Sequence, residues 1–176
     1  REAIDLQSAE LGDAPSDPVI LSRLGVMYSN LATALEASGE PSQSMQEMRK
    51  AIDCQQAAIK LDHEAPQTQS FLLQHMASLL RSQIKQRRWR DVDRTIEEYR
   101  TTAMMHPQQM ISAARVLAEL ATVTPQNQCH DQLSDSTIAL LVSARDAGMK
   151  LDPSLIRSAP FAAFSQHPKF RRVVQP

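Results

Sequence analysis

An all-α fold, laid out as a right-handed solenoid of antiparallel helix hairpins with a helical cap at the C-terminal end, is what this chain predicts from three observations. First, residues 1 to 18 recur at 49 to 66. REAIDLQSAELGDAPSDP stands against RKAIDCQQAAIKLDHEAP, with matches at Arg1/Arg49, Ala3/Ala51, Ile4/Ile52, Asp5/Asp53, Gln7/Gln55, Ala9/Ala57 and Pro18/Pro66. A fixed internal offset of this size marks stacked repeat units, none of which can bury its apolar face alone. Second, good helix formers are abundant, while only 4 glycines and 4% aromatic residues leave too little material for most sheet cores. Third, the 10 prolines fall between the periodic stretches, where they punctuate.

Taken in order, residues 1 to 18 read as the second helix of a truncated repeat. Ala3, Ile4, Leu6 and Leu11 give it an apolar side, and Gly12, Pro15 and Pro18 stop it. On this reading the chain opens part-way through a repeat and is a fragment of a longer protein. The first full hairpin, 19 to 66, has Leu21, Leu24, Tyr28, Leu31, Ala32 and Leu35 at steps of three and four on its first helix. Gly39 ends that helix, Pro41 starts the next, and Met45, Met48, Ala51, Ile52 and Ala58 continue the stripe to Leu61. The second hairpin, 67 to 107, carries Phe71, Leu72, His75, Met76, Leu79, Leu80 and Ile84, then Val92, Ile96, Tyr99 and Ala103. The repeat offset sets Gly39 on Arg87 and Pro41 on Trp89, so both hairpins share a turn of different chemistry. The third hairpin, 108 to 148, runs to Val123, crosses a polar loop TPQNQCHDQ, and resumes from Leu133 to Ala147, with Gly148 as C-cap. From 149 to 176, prolines interrupt Leu155, Ile156, Phe161, Phe164, Phe170 and Val173, which predicts short helices that close the end of the array.

The formal net charge of −1 argues against global attraction to nucleic acid or anionic membranes. No apolar run approaches the roughly 20 residues needed to span a bilayer, so no membrane insertion by this segment is expected. Which side of any membrane it works on is not legible. Cys54 and Cys129 stand apart, with no CxxC and no histidine at ligand spacing, so no disulfide scaffold, metal site or cofactor is expected.

Within each hairpin the spacing resembles the tetratricopeptide repeat. Tyr28, Leu31, Ala32 and Leu35, the Gly39–Pro41 turn, and Ser44, Met48 and Ala51 fall on the slots where that repeat alternates bulky and small residues. Met76, Leu79, Trp89, Val92, Ile96 and Tyr99 follow in the second hairpin, where Leu80 and Tyr99 occupy small slots and Gln83 a bulky one. Small slots let paired helices approach, and bulky ones fill the space between neighbouring hairpins. More narrowly, YSNLATALEASGEPSQSMQEMRKAI from Tyr28, ISAARVLAELA from Ile111, LLVSARDAGMK from Leu140 and SAPFAAFSQHPKFRRVV from Ser158 resemble, in order and spacing, the C-terminal repeat region of planctomycete-type bacterial serine/threonine protein kinases. The tail departs from the usual DPxLxPL.

That resemblance implies a non-catalytic protein–protein interaction module. None of the kinase's own parts, neither glycine-rich loop nor VAIK, HRD or DFG, is present in this segment. It also implies a concave groove formed by the first helices of successive hairpins, lined by Val26, Ser29, Asn30 and Thr33 from one and by Gln74, Ala77, Ser78, Arg81 and Lys85 from the next. The lysine–asparagine clamp that some such grooves use on a terminal carboxylate needs Lys at Ser29 and Asn at Thr33, and has neither. An internal peptide or partner helix is the expected ligand, with Arg81 and Lys85 favouring acidic ones. A structural spacer, or self-association through the open N-terminal end, is the alternative reading, and a cryptic enzyme the remote one.

Three local features were candidates for chemistry. His130 beside Cys129 and Asp131 is the best cluster among the five histidines, but adjacent residues on a loop point apart and catalysis needs convergence. Seven methionines between residues 27 and 110 fall mostly at core-compatible steps. The run RSQIKQRRWRDVDR places Arg81, Lys85 and Arg88 on one helix face. It reads either as an anion or acidic-peptide site or as a solvated face offset by Asp91, Asp93, Glu97 and Glu98. No comparable basic run recurs, which disfavours nucleic acid.

Overall fold

A computed structural model describes Asp5 and residues 17–63, 65–126, 128–152, 154, 159–165 and 167–174. The leading half-repeat of residues 1 to 16 lies outside the described residues, apart from Asp5, which is helical and exposed. Every regular element among the described residues is a helix: α1 (Pro18–Ala37), α2 (Pro41–Leu61), α3 (Pro66–Lys85), α4 (Trp89–Met104), α5 (Pro107–Val123), α6 (Gln128–Asp146), a single 3₁₀ turn (Phe161–Phe164) and α7 (Pro168–Val174). The chain is therefore all-α. It divides into two compact units, Arg1–Gln83 and Ile84–Pro176.

In the first unit α1 and α2 form an antiparallel hairpin whose punctuation is chemical. The Asp17 carboxylate caps α1 by accepting from the backbone N–H of Val19 at 2.8 Å and of Ile20 at 3.1 Å, and Pro18 fills the first helical position, where a missing N–H costs nothing. At the other end Gly39, with φ 79°, lets its own N–H reach the Glu36 carbonyl and the Glu40 N–H reach that of Leu35. This left-handed closure uses carbonyls that the helix leaves orphaned. Pro41 then starts α2.

The hairpin crossing is built on small residues. Ala32 and Ala51 are fully buried, and Gly25 sits so close to α2 that an added Cβ would lie 2.7 Å from Gln55 Nε2, 3.0 Å from the Ala51 carbonyl oxygen and 3.2 Å from Cys54 Cβ. Gln55, 0% exposed, is held on both sides of its amide. Its Nε2 donates to the Ser22 carbonyl at 2.9 Å, and its Oε1 accepts from the Ser22 hydroxyl at 2.9 Å. A buried amide satisfied in this way fixes register between two helices where apolar packing alone allows sliding. Helix α3 contributes Leu72, Leu73, Met76, Leu79 and Leu80 to the core, and the Ser82 hydroxyl donates to Glu36 of α1 at 3.1 Å.

The second unit packs α4, α5 and α6 around Val92, Ile96, Tyr99, Leu117, Leu133, Leu140 and Leu141, all buried. Gly148, φ 82°, ends α6 as Gly39 ends α1: its N–H bonds to the Arg145 carbonyl and that of Met149 to the Ala144 carbonyl. The C-terminal segment folds onto this core through Phe161, Phe164 and Phe170, all buried, with the last two rings tilted against each other at 6.1 Å. Short elements between prolines were expected there. The first turn of α4 repeats the α1–α2 turn with different residues: Arg87 takes φ 55°, the conformation that Gly39 takes at the equivalent position, and Trp89 occupies the first helical position as Pro41 does.

One element differs from the sequence reading. Helix α6 begins at Gln128, so the segment expected to be loop up to Leu133 is its first turn and a half. The cause is tertiary: Cys129 is buried, its thiol donates to Asp93 Oδ1 at 3.0 Å, and Gln132 Nε2 donates to the Asp93 carbonyl at 3.0 Å. A polar-looking stretch is helical because α4 supplies its partners.

Candidate interaction groove

Between the N-terminal halves of helices α1 and α3 of the first unit lies a cleft of about 800 Å³. One wall is Pro18, Val19, Ser22, Arg23, Val26, Met27 and Asn30 of α1. The other is Thr68 and Phe71 of α3, with Ala65, Pro66 and Gln67 at its start and Asp62 just after α2. Val19, 57% exposed, lies on the rim of the cleft. The rim bears one cation, Arg23, and one anion, Asp62, so the lining carries no formal net charge.

Of the residues expected to line a groove, Val26 and Asn30 face this cleft. Ser29, Thr33, Gln74, Ser78 and Arg81 lie further along the helices and do not line it. The Thr33 hydroxyl donates to the Ser29 carbonyl and the Ser78 hydroxyl to that of Gln74, so neither is an uncommitted donor. Ala77 is 3% exposed and packs instead of presenting a surface. Arg81 and Lys85 are exposed on α3, Lys85 being in the second unit. Pro18, Val19, Ser22, Arg23, Met27 and Phe71 line the cleft without having been singled out from the sequence as groove residues. Alternation of Val19, Ser22/Arg23 and Val26 along one side of α1 was the available signal.

Behind the cleft, the ring of His75 stacks on that of Phe71 with centroids 6.3 Å apart and planes 5° apart. Burial holds its pKa down to about 4, against a hydrogen bond to the Ala51 backbone that acts the other way. The ring is neutral at physiological pH and serves as core.

The other candidates resolve individually. His130 and Cys129 stand on the first turn of α6 and turn apart: His130 Nδ1 meets the Ala121 carbonyl at 3.0 Å, while the Cys129 thiol faces Asp93. Burial, then the hydrogen bond and charge of Asp93, push the Cys129 thiol up to about 12. Burial, then Asp53, push Cys54 to about 11. Both sulfurs are poor nucleophiles. Of the basic run, Arg88 pairs with Asp91 at 2.7 Å and Arg94 with Asp91 at 3.5 Å and Glu98 at 3.9 Å; further along α4, Arg100 pairs with Glu97. The Arg100 hydrogen bond holds the exposed Glu97 carboxyl below its usual range. Among the described residues no three His, Cys, Asp or Glu side chains could hold a metal ion, and no helix is long and apolar enough to cross a membrane.

Fold and cleft thus define an all-α chain with an apolar interhelical groove. No family model, curated protein or solved structure matches it.

Proposed function

We propose that the chain is an interaction module of the tetratricopeptide-like kind, a solenoid segment that binds a peptide or helix of a partner in the cleft between α1 and α3. The observation that carries this reading is that cleft, about 800 Å³, apolar along both walls and open at Val19. Grooves between helices of this size and lining accept extended or helical peptides through a few apolar anchors. Burial of Ala32, Ser44 and Ala51 at the small slots of the first hairpin supports the repeat reading. The module performs no catalytic step of its own; in a kinase-type parent it selects partners or substrates.

The test is a peptide-array screen followed by titration of Val26→Asp, Asn30→Ala, Gln74→Ala and Arg81→Ala. Binding through the cleft is lost in the first, weakened in the second and unchanged in the last two. A recovered peptide indifferent to Val26→Asp and Asn30→Ala would show the groove to be elsewhere. Light scattering on the isolated chain separates self-association, since a monomer at high concentration counts against a self-stacking spacer.

A further inference from the structure

The second unit carries a furrow that this cleft reading does not use. It runs along α6, walled by α4 and, toward its far end, by α7. Two adjoining hollows of about 540 and 620 Å³ meet at Asp135 and Ala139, which line both. From Asp131 to Arg145 the furrow follows α6 for about 20 Å at a rise of ~1.5 Å per residue.

Its ends carry opposite charge. Asp93, Glu97 and Asp131 stand at the N-terminal end of α6, and Arg145, Lys169 and Arg172 at the C-terminal end. The floor of the second hollow is apolar, formed by Ile138, Ala139 and Val142 with the Met104 side chain. Part of this charge is met internally: Glu97 by Arg100, Asp135 by Lys169 at 3.4 Å, Arg145 by Asp146 at 3.0 Å. Among the described residues Asp131 and Arg172 enter no ion pair, so the open charges lie at the two extremes.

A helix whose charges suit its own dipole is acidic in its first turn and basic in its last. Laid antiparallel to α6, such a helix brings its basic end to Asp131 and its acidic end to Arg145, Lys169 and Arg172. Laid parallel, it meets like charge at both ends. We propose that this furrow docks an amphipathic helix of a partner protein, antiparallel to α6, with acidic first and basic last turns and small apolar residues against Ala139 and Val142. Helix-in-groove recognition of this type takes its affinity from the apolar stripe and its direction from the charges. A second copy fits less well, because two such furrows would meet hollow to hollow.

The probe is a synthetic amphipathic peptide of about four turns with Glu in its first turn, Lys in its last and an Ala/Leu stripe, the length matching the furrow at ~5.4 Å per turn. Its control has the same stripe with Glu in both its first and its last turn, so that in either orientation one end meets like charge. In fluorescence anisotropy at low salt the peptide with Lys in its last turn binds at least tenfold more tightly, and the difference shrinks as salt screens the ends. The double variant Asp131→Lys, Asp135→Lys, checked for unchanged helicity by circular dichroism, leaves both ends of the furrow basic and inverts the preference. Equal binding of the two peptides, or binding of neither, overturns the proposal. So does self-association, seen by sedimentation, that Asp131→Lys abolishes, since it would assign the furrow to a second copy.

Discussion

Replacing Gly25 by alanine sets two effects of known size against each other. Alanine in a helix interior is favoured over glycine by about 1 kcal/mol. Against this, the new methyl would lie 2.7 Å from Gln55 Nε2 and 3.0 Å from the Ala51 carbonyl oxygen, closer than carbon normally approaches either. Withdrawal of the Gln55 amide breaks its bonds to Ser22 and strands buried polar atoms, each worth about 1–3 kcal/mol. Separation of the helices instead opens the crossing at Ala32 and Ala51, an overpacking cost of about 1–3 kcal/mol. The net expectation is a loss of about 1–3 kcal/mol by urea denaturation, and a Tm lower by about 2–4 °C per kcal/mol for a chain of this size. On a Gln55→Ala background, with the amide gone, the same substitution comes close to neutral, so the double-mutant cycle shows a coupling of at least ~1 kcal/mol. A Gly25→Ala protein as stable as the parent, or additivity in that cycle, would refute the close-approach argument.

Three further outcomes follow from local geometry. Arg87, at φ 55°, carries the left-handed strain that Gly39 avoids, so Arg87→Gly raises stability by about 1 kcal/mol, while Gly39→Ala, with nothing within 4 Å of its new methyl, lowers it by about 1 kcal/mol through backbone strain alone; paired denaturation curves check both. His75, ordinarily near 6.5 and held to about 4, is protonated in the unfolded chain before the folded one, so stability falls as pH drops from about 6.5 to 4 and this contribution levels off below. One proton is a slope of ~1.4 kcal/mol per pH unit, which His75→Phe removes; urea midpoints at pH 6.5, 5.5 and 4.5 test it, and an unchanged slope would contradict it. Neither thiol reacts appreciably with iodoacetamide at pH 8 in the folded chain, whereas both react in denaturant, and Asp93→Asn makes Cys129 the more acidic thiol of the two proteins compared.

Much of the helix layout was legible because its punctuation is local. Pro18, Pro41, Pro66 and Pro107 each stand at a helix start, and Gly39 and Gly148 each close a helix end with positive φ, as residue chemistry alone requires. The start of α6 was not legible. Its first turn carries one apolar side chain, Cys129, and the group that buries it, Asp93, lies 36 residues away. The internal repeat supplied something composition could not: it set Arg87 on Gly39, and both residues take the left-handed conformation. Composition favours a helix at arginine, and only the offset pointed to a turn.

The groove was legible in part for the same reason. A repeat pattern says which helix faces turn outward, and of the residues it points to, Val26 and Asn30 line the cleft. Where the walls of the cleft separate depends on how α1 meets α3, and that is set by side-chain partners that the pattern does not show. Gln55 and Gln83 make the point. Both are glutamines on helices and both are 0% exposed. Gln55 has both amide atoms bonded to Ser22 and locks α1 to α2, whereas Gln83 has neither amide atom bonded. An unsatisfied buried amide costs about 1–3 kcal/mol, so one of these residues adds specificity and the other subtracts stability. The residue type and its burial are alike at the two positions, and only the partner across the helix interface tells them apart.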